Sequence, residues 1–289
     1  MEINVQIINA FVDGDRGGNP AGVVLDADHL SNAAKQQIAA KVGLSETAFV
    51  SKSNIADFKL DFFTPNRQIA HCGHATIGTF SYLQQLNRIP QLNTSKETID
   101  GRREILIRGE LAFMEQKAPI YTAVNHLYPS ILQSLNASAD ILMPNAPIQV
   151  VNTGNSFLII PVQSAQILQN IHPNMAAIQA ISDELDLIGY YIFTSATVQQ
   201  GRDAGTRMFA PRYGIVEESG TGMAAGPLAC YLHDILGIRK SRFLIEQGQF
   251  MTTPSPSLIE VELNIDNQKV TSLMAGGKGI VSGNRTVII

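Results

Sequence analysis

Two stretches of this chain repeat one another: FFTPNRQIAHCGHATIGTFSYL at residues 62–83 and MFAPRYGIVEESGTGMAAGPLACYL at residues 208–232. Each opens on an aromatic residue, a variable residue and a proline, at Phe63-Thr64-Pro65 and Phe209-Ala210-Pro211. Each then reaches a glycine, Gly73 or Gly222, and places Tyr-Leu at the same distance beyond it, at Tyr82-Leu83 and Tyr231-Leu232. Ala, Thr and Gly follow both glycines, so a helix starting there can pack closely on its neighbours. A repeat of this kind restricts the fold to one strand–turn–helix unit used twice. Two such units facing each other would aim two helix N-termini into one cleft, where their free N–H groups suit a carboxylate or a developing oxyanion.

The rest of the chain is consistent with such a fold. Its 289 residues allow two domains of ordinary size. Charged residues make up 16% and the formal net charge is -4. No long basic run is present, which argues against a nucleic-acid partner. No stretch has the length and apolarity of a membrane span, and MEINVQIINAF alternates like a strand rather than reading as a signal peptide. Two cysteines, Cys72 and Cys230, make no disulfide framework. These features predict a cytoplasmic protein.

Hydrophobic spacing predicts strands over 3–12 and 21–25, with a turn signal at Asn19-Pro20 between them. A helix is expected over 31–42, with Ser31 as N-cap and Gly43 as its stop. Further helices are expected over 127–136, 164–181 and 222–236. Strands are expected over 147–161 around a turn at Gly154, and over 187–197, 243–251, 258–265 and 270–289. The region 117–125 contains Pro119 and little periodicity, and is read as the crossing between domains. Many short strands with few regular helices predict an α+β fold, and neither GxGxxG nor GxxxxGK[ST] occurs.

Three chemistries are open to the cluster His71, Cys72 and His74 around Gly73. Three ligand-type residues crowded into four positions are hard to place around one tetrahedral ion, and no second CxxC or HxxxH supports them. A thiol nucleophile or acid–base group is the second option, and a turn that feeds a helix start is the third. Cys230 lies in an apolar neighbourhood on the expected helix and reads as a small hydrophobe. Outside the cluster, Glu46 interrupts the half-buried run LSETAFV, and a glutamate there needs a partner or a role.

The pieces GNPAGVV (18–24), LSETAFV (44–50), FTP with CGHAT (63–65 and 72–76), TGN (153–155) and RMFAPRYGIVEESGTG (207–222) together resemble the phenazine-biosynthesis PhzF-like family, which is related in fold to diaminopimelate epimerase. The resemblance covers essentially the whole chain. It implies two pseudo-symmetric α+β domains, each a curved sheet around a central helix, with the active site between them. The expected division is 1–120, completed by about 278–289, and 121–277. It also implies a homodimer, no cofactor, and a cofactor-independent isomerase that moves a proton on a small carboxylic acid; no metal is expected, on the spacing argument above.

By the same resemblance the catalytic glutamate corresponds to Glu46 and the CGHAT histidine to His74, and the second carboxylate falls at Glu218. The small polar residue that follows Thr-Gly in the family falls at Met223, whose thioether donates no proton. The glutamate often found before CGHAT is Gln68. Backbone donors around Gly73 and Gly222 would hold a substrate carboxylate, and Asn19 and Asp203 would shape the cleft. Glu217 is read as a solvent-facing neighbour or a lesser contact. The related epimerases use paired cysteines; Cys72 matches the first, while the second falls at Thr221. A cysteine-dependent racemase and a family member that binds a small acid without turnover are the alternative readings.

Overall fold

The computed structural model of the protein describes residues 1–289. The chain divides into two compact units, Met1–Glu115 with Gly276–Ile289, and Gln116–Ala275. The division falls somewhat earlier than the expected crossing. A strand over Leu111–Lys117 runs through residue 115, and the segment containing Pro119 leads into a regular strand rather than forming a linker.

In the first unit the strands are β1 (Glu2–Ala10), β2 (Asn19–Val24), β3 (Thr47–Ser51), β4 (Phe58–Phe63), β5 (Gln68–Ile69), β6 (Asn93–Thr98), β7 (Gly101–Arg108) and β8 (Leu111–Lys117). Helix α1 (Asn32–Val42) lies between β2 and β3, and α2 (Gly73–Gln85) between β5 and β6. Ser31 caps α1 by accepting the Ala34 N–H at 3.2 Å, and Gly43 ends it at φ 67°, where an L side chain would be strained. Asn19 and Pro20 open β2 instead of forming a turn, and the chain reverses earlier, between Asp13 and Arg16.

In the second unit the strands are β9 (Ile120–Ala123), β10 (Gln149–Asn152), β11 (Ser156–Pro161), β12 (Gly189–Thr194), β13 (Ala204–Ala210), β14 (Ile215–Glu218), β15 (Arg242–Gln247) and β16 (Ser257–Asp266). Strand β17 (Lys269–Ile288) begins here, and its far half belongs to the first unit. Helix α3 is Tyr128–Ser134 and α6 is Gly222–Asp234. The single helix expected over 164–181 is two, α4 (Ala165–Gln169) and α5 (Met175–Glu184), with Pro173 in the break. Pro227 lies inside α6.

Each unit has the same order of strand pairings. β1 is antiparallel to β2, β2 parallel to β3, β3 antiparallel to β4, β4 parallel to β6, and β6 antiparallel to β7. In the second unit β10 is antiparallel to β11, β11 parallel to β12, β12 antiparallel to β13, β13 parallel to β15, and β15 antiparallel to β16. The register also repeats: Phe58 faces Lys96 in β4–β6, and Ala204 faces Ile245 in β13–β15.

The two central helices are nearly all buried, α2 from Gly73 to Ser81 and α6 from Ala224 to His233. A helix with no solvent face has no use for an amphipathic stripe, and small residues let strands approach it on every side. Gly226 shows the tolerance: a Cβ there would stand 2.3 Å from Gln116 Oε1 and 2.7 Å from Leu273 Cδ1. Beyond the helices, the first unit packs Ile3, Val5, Ile38, Val42, Phe49 and Phe63 into one core, and the second packs Ile148, Leu158, Ile178, Tyr190 and Phe209 into another. No helix is long and apolar enough to cross a membrane.

Candidate active site

In the first unit the structure brings Glu46, Cys72 and His74 together. Glu46 immediately precedes β3, and its carbonyl accepts the Gly22 N–H at 3.0 Å, which ties it to the β2–β3 pair. Cys72 is the N-cap of α2 and His74 its second residue, so the turn delivers both to the strand end carrying Glu46. All three side chains are buried, at 7%, 4% and 4% exposure. His74 Nε2 stands 3.2 Å from Glu46 Oε2. The opposite ring nitrogen, Nδ1, stands 3.7 Å from Cys72 Sγ.

This arrangement is a file with the imidazole in the middle. Burial would raise Glu46, but the close approach and charge of His74, with Ser45, hold it below the usual carboxylate value. Burial pushes the Cys72 thiol up, so it stays protonated. With its proton on Nε2 the imidazole would face the Glu46 carboxylate across 3.2 Å, a close approach rather than an aligned hydrogen bond, and would leave Nδ1 to accept from the thiol. The ligand atoms of the three residues lie within 4.8 Å of one another. One ion could bind only one of the two ring nitrogens, so a chelate using all three side chains would require the ring to turn away from one neighbour.

His71 is not part of this file. It points to Lys96, whose Nζ is 3.4 Å from His71 Nδ1. Burial, then the charges of Lys96 and Arg103, keep His71 well below the ordinary imidazole value, hence neutral. Gln68, on β5, is half-buried and meets Asn32 at 3.5 Å.

The second unit gathers Glu218, Thr221, Gly222 and Met223 at the start of α6. Thr221 Oγ donates to Glu218 Oε2. Gln116 Nε2 donates to the Gly222 carbonyl at 2.9 Å. Met223 is half-buried, with Asn155 Nδ2 at 3.6 Å from its sulfur. Neither α2 nor α6 has a side-chain cap of the usual kind; at α6 the Ala224 N–H turns back to the Thr221 carbonyl at 3.0 Å, and at α2 the Ala75 N–H meets Cys72. Gly73 and Gly222 have no left-handed φ, so backbone conformation does not require glycine at either place.

Asn19 is buried at the start of β2. Asp203 precedes β13, where Lys240 pairs with one carboxylate oxygen and the Leu244 N–H donates to the other at 2.8 Å. Glu218 pairs with Met208, further along β13, so the two carboxylates are separated by most of that strand. Glu217 is not solvent-facing: Arg207 holds both of its oxygens at 2.9 Å. Cys230 is buried in α6, and burial raises its thiol as well.

Two polar residues of the site regions were not expected from the sequence, Lys96 and Gln247. The sequence clue for each was a polar side chain in an otherwise strand-like run, NTSKET and RFLIEQ.

Comparison with known proteins assigns the class. The model of the phenazine biosynthesis-like protein family matches residues 8–283, and the chain belongs to that family. It is 29% identical to the uncharacterized isomerase YddE of Salmonella typhimurium, over 97% of each chain. It is 30% identical to the trans-2,3-dihydro-3-hydroxyanthranilate isomerase of Pseudomonas chlororaphis, over 98% of each. A crystal structure of a Bacillus anthracis PhzF-family phenazine biosynthesis protein superposes with a TM-score of 0.90 at 26% identity, covering all of both chains. Family and fold are those of the PhzF-like, two-domain α+β isomerases, and this chain is one of them.

Proposed function

We propose that the protein moves a proton between carbons of a small carboxylic acid, with Glu46 as the general acid–base. The observation that carries this reading is the buried Glu46 carboxylate 3.2 Å from His74 Nε2. A carboxylate held ionised by an imidazole is a base at neutral pH, and burial strengthens every electrostatic interaction it makes. Glu46 takes a proton from one carbon, becomes the neutral acid, and returns the proton at another. His74 keeps Glu46 in position and lowers the cost of its charged form. The N–H groups at the start of α2, beside His74, take the substrate carboxylate.

A relative acts on trans-2,3-dihydro-3-hydroxyanthranilate, and that compound is the first candidate. The thiol alternative has one observation in its favour, Cys72 Sγ at 3.7 Å from His74 Nδ1. Against it, the position matching a second thiol is Thr221, whose hydroxyl is committed to Glu218. The test is incubation in heavy water with trans-2,3-dihydro-3-hydroxyanthranilate and a panel of small amino- and hydroxy-carboxylic acids, following carbon-bound deuterium by NMR. Incorporation by the parent that is lost in Glu46→Gln supports the proposal. Binding without exchange makes the protein a small-acid binder, and exchange that survives Glu46→Gln but not Cys72→Ala assigns the chemistry to the thiol.

A further inference from the structure

Lys96 is fully buried on β6, and none of its close partners is a carboxylate. Its Nζ donates to Thr76 Oγ1 at 2.6 Å, meets His71 Nδ1 at 3.4 Å, and lies 5.0 Å from the centre of the Phe62 ring. A buried ammonium without a counter-ion is costly, and the fold does not require one at this position. The second unit supplies the comparison. In β13–β15 the residue at the equivalent register is Ile245, and the residue equivalent to Thr76, equally far into its helix, is Ala225; both are fully buried. The same architecture is therefore packed with Ile and Ala in one unit and with Lys and Thr in the other. The polar version touches the turn that carries His74, through His71 on one side and Thr76 on the other.

Resting on the reading of the Glu46–His74 pair as the acid–base group, we propose that Lys96 is a positioning residue that acts through Thr76 to fix the turn carrying His74. The hydroxyl of Thr76 has one proton. Accepting from Lys96 directs that proton to the Cys72 carbonyl, which it reaches at 2.6 Å. The same carbonyl accepts the Thr76 N–H at 3.3 Å. The Cys72–Gly73 peptide is thus held from two directions, one of them set by the amine. His74 follows directly, and its ring orientation between Cys72 and Glu46 depends on that peptide plane. Contact with Lys96 also fixes His71, on the other side of Cys72, as an acceptor through Nδ1. Both flanks of the turn are therefore held by one side chain.

The experiment uses the full chain and needs no substrate. Imidazole ¹⁵N–¹H correlation spectra, with His74 assigned by its loss in His74→Gln, are recorded for the parent, Lys96→Met and Thr76→Val. The parent should show His74 as one tautomer with the proton on Nε2. Lys96→Met should keep or raise the thermal midpoint, as an apolar residue does at the equivalent place, yet shift the His74 nitrogens toward a mixture of tautomers. Thr76→Val should shift the same signals in the same direction, and it carries the test if Lys96→Met does not fold. A lower midpoint with unchanged His74 signals in the folded variants would overturn the proposal and leave Lys96 a packing residue. A shift in Lys96→Met that Thr76→Val does not share overturns the route through Thr76. Spectra that move while the parent shows no carbon exchange leave the positioning intact and remove the proposed chemistry instead.

Discussion

Gln247 and Thr221 are joined twice: Gln247 Oε1 accepts the Thr221 N–H at 3.0 Å, and Gln247 Nε2 donates to Thr221 Oγ1 at 3.0 Å. The same amide accepts from Tyr191 Oη at 3.0 Å and donates to the Glu218 carbonyl at 2.7 Å. All four hydrogen-bonding capacities of a fully buried amide are used, and three of them hold the turn from Glu218 to Gly222. Gln247→Leu keeps the volume and strands the Tyr191 hydroxyl and the Thr221 N–H. With about 1–3 kcal/mol for each of the two buried groups left unsatisfied, a loss of roughly 2–6 kcal/mol is expected in urea denaturation. A loss below about 1 kcal/mol would mean water replaces the amide.

Glu46→Gln keeps the shape of the side chain and removes its titration. Positioned acid–base groups contribute about 10²–10⁴-fold, so the variant should lose roughly 3–5 kcal/mol of transition-state stabilisation. Substrate affinity should change little. His74→Ala should fall between the parent and Glu46→Gln, and Cys72→Ala should cost least. Single-turnover exchange in heavy water on any acid that the parent labels ranks the three variants. The reverse order would place the chemistry on the thiol.

Lys35 on α1 and Asp61 on β4 form an ion pair at 2.6 Å with side-chain exposures of 6% and 7%. Removing one partner leaves a buried charge alone, at about 3–5 kcal/mol. Asp61→Asn should therefore lower the thermal midpoint sharply, whereas Lys35→Met with Asp61→Leu should recover most of it. If the double replacement is as unstable as the single one, the pair contributes more than its own neutralisation.

Burial, opposed by Cys72 and Asp100 and assisted by Arg103, pushes the Lys96 ammonium down to about 7. An unfolded lysine titrates at about 10.4. Between these values the unfolded chain binds a proton that the folded chain does not. This group therefore makes stability rise with pH from about 7 to about 10.4, by at most about 1.4 kcal/mol per pH unit. Other groups titrate across the same range, so the readout is the difference between parent and Lys96→Met in urea midpoints from pH 6.5 to 10. The variant should lose this slope. Parallel curves would show that Lys96 is solvated in the folded protein.

Much of this was legible in the sequence because the two units mark their own starts. Phe-x-Pro followed by a glycine and then Tyr-Leu locates both central helices, and Ser31 and Gly43 bound α1 through local chemistry alone. Glu46 stood out because a charge in an apolar run has to be explained. What could not be read depends on distant partners. Glu217 looks like a surface residue until Arg207 is brought across from β13. Lys96 looks like an ordinary strand lysine until the register places Ile245 at the same point of the other unit. Pro173 and Pro227 carry opposite lessons, since one breaks a helix and the other is accommodated within one.

The pairing of β1 with the far half of β17 has a consequence for how the protein is made. Glu2 faces Ile288 and Ala10 faces Gly279, so the strand beside β1 is translated after all of the second unit. Chains fold domain by domain as they leave the ribosome. The second unit is contiguous, from Gln116 to Ala275, and can close while synthesis continues. The first unit, which carries Glu46 and His74, must wait with the β1 edge open. The half of the protein that is translated first is therefore the half that is finished last, and until then its exposed strand edge is in the care of whatever binds nascent chains.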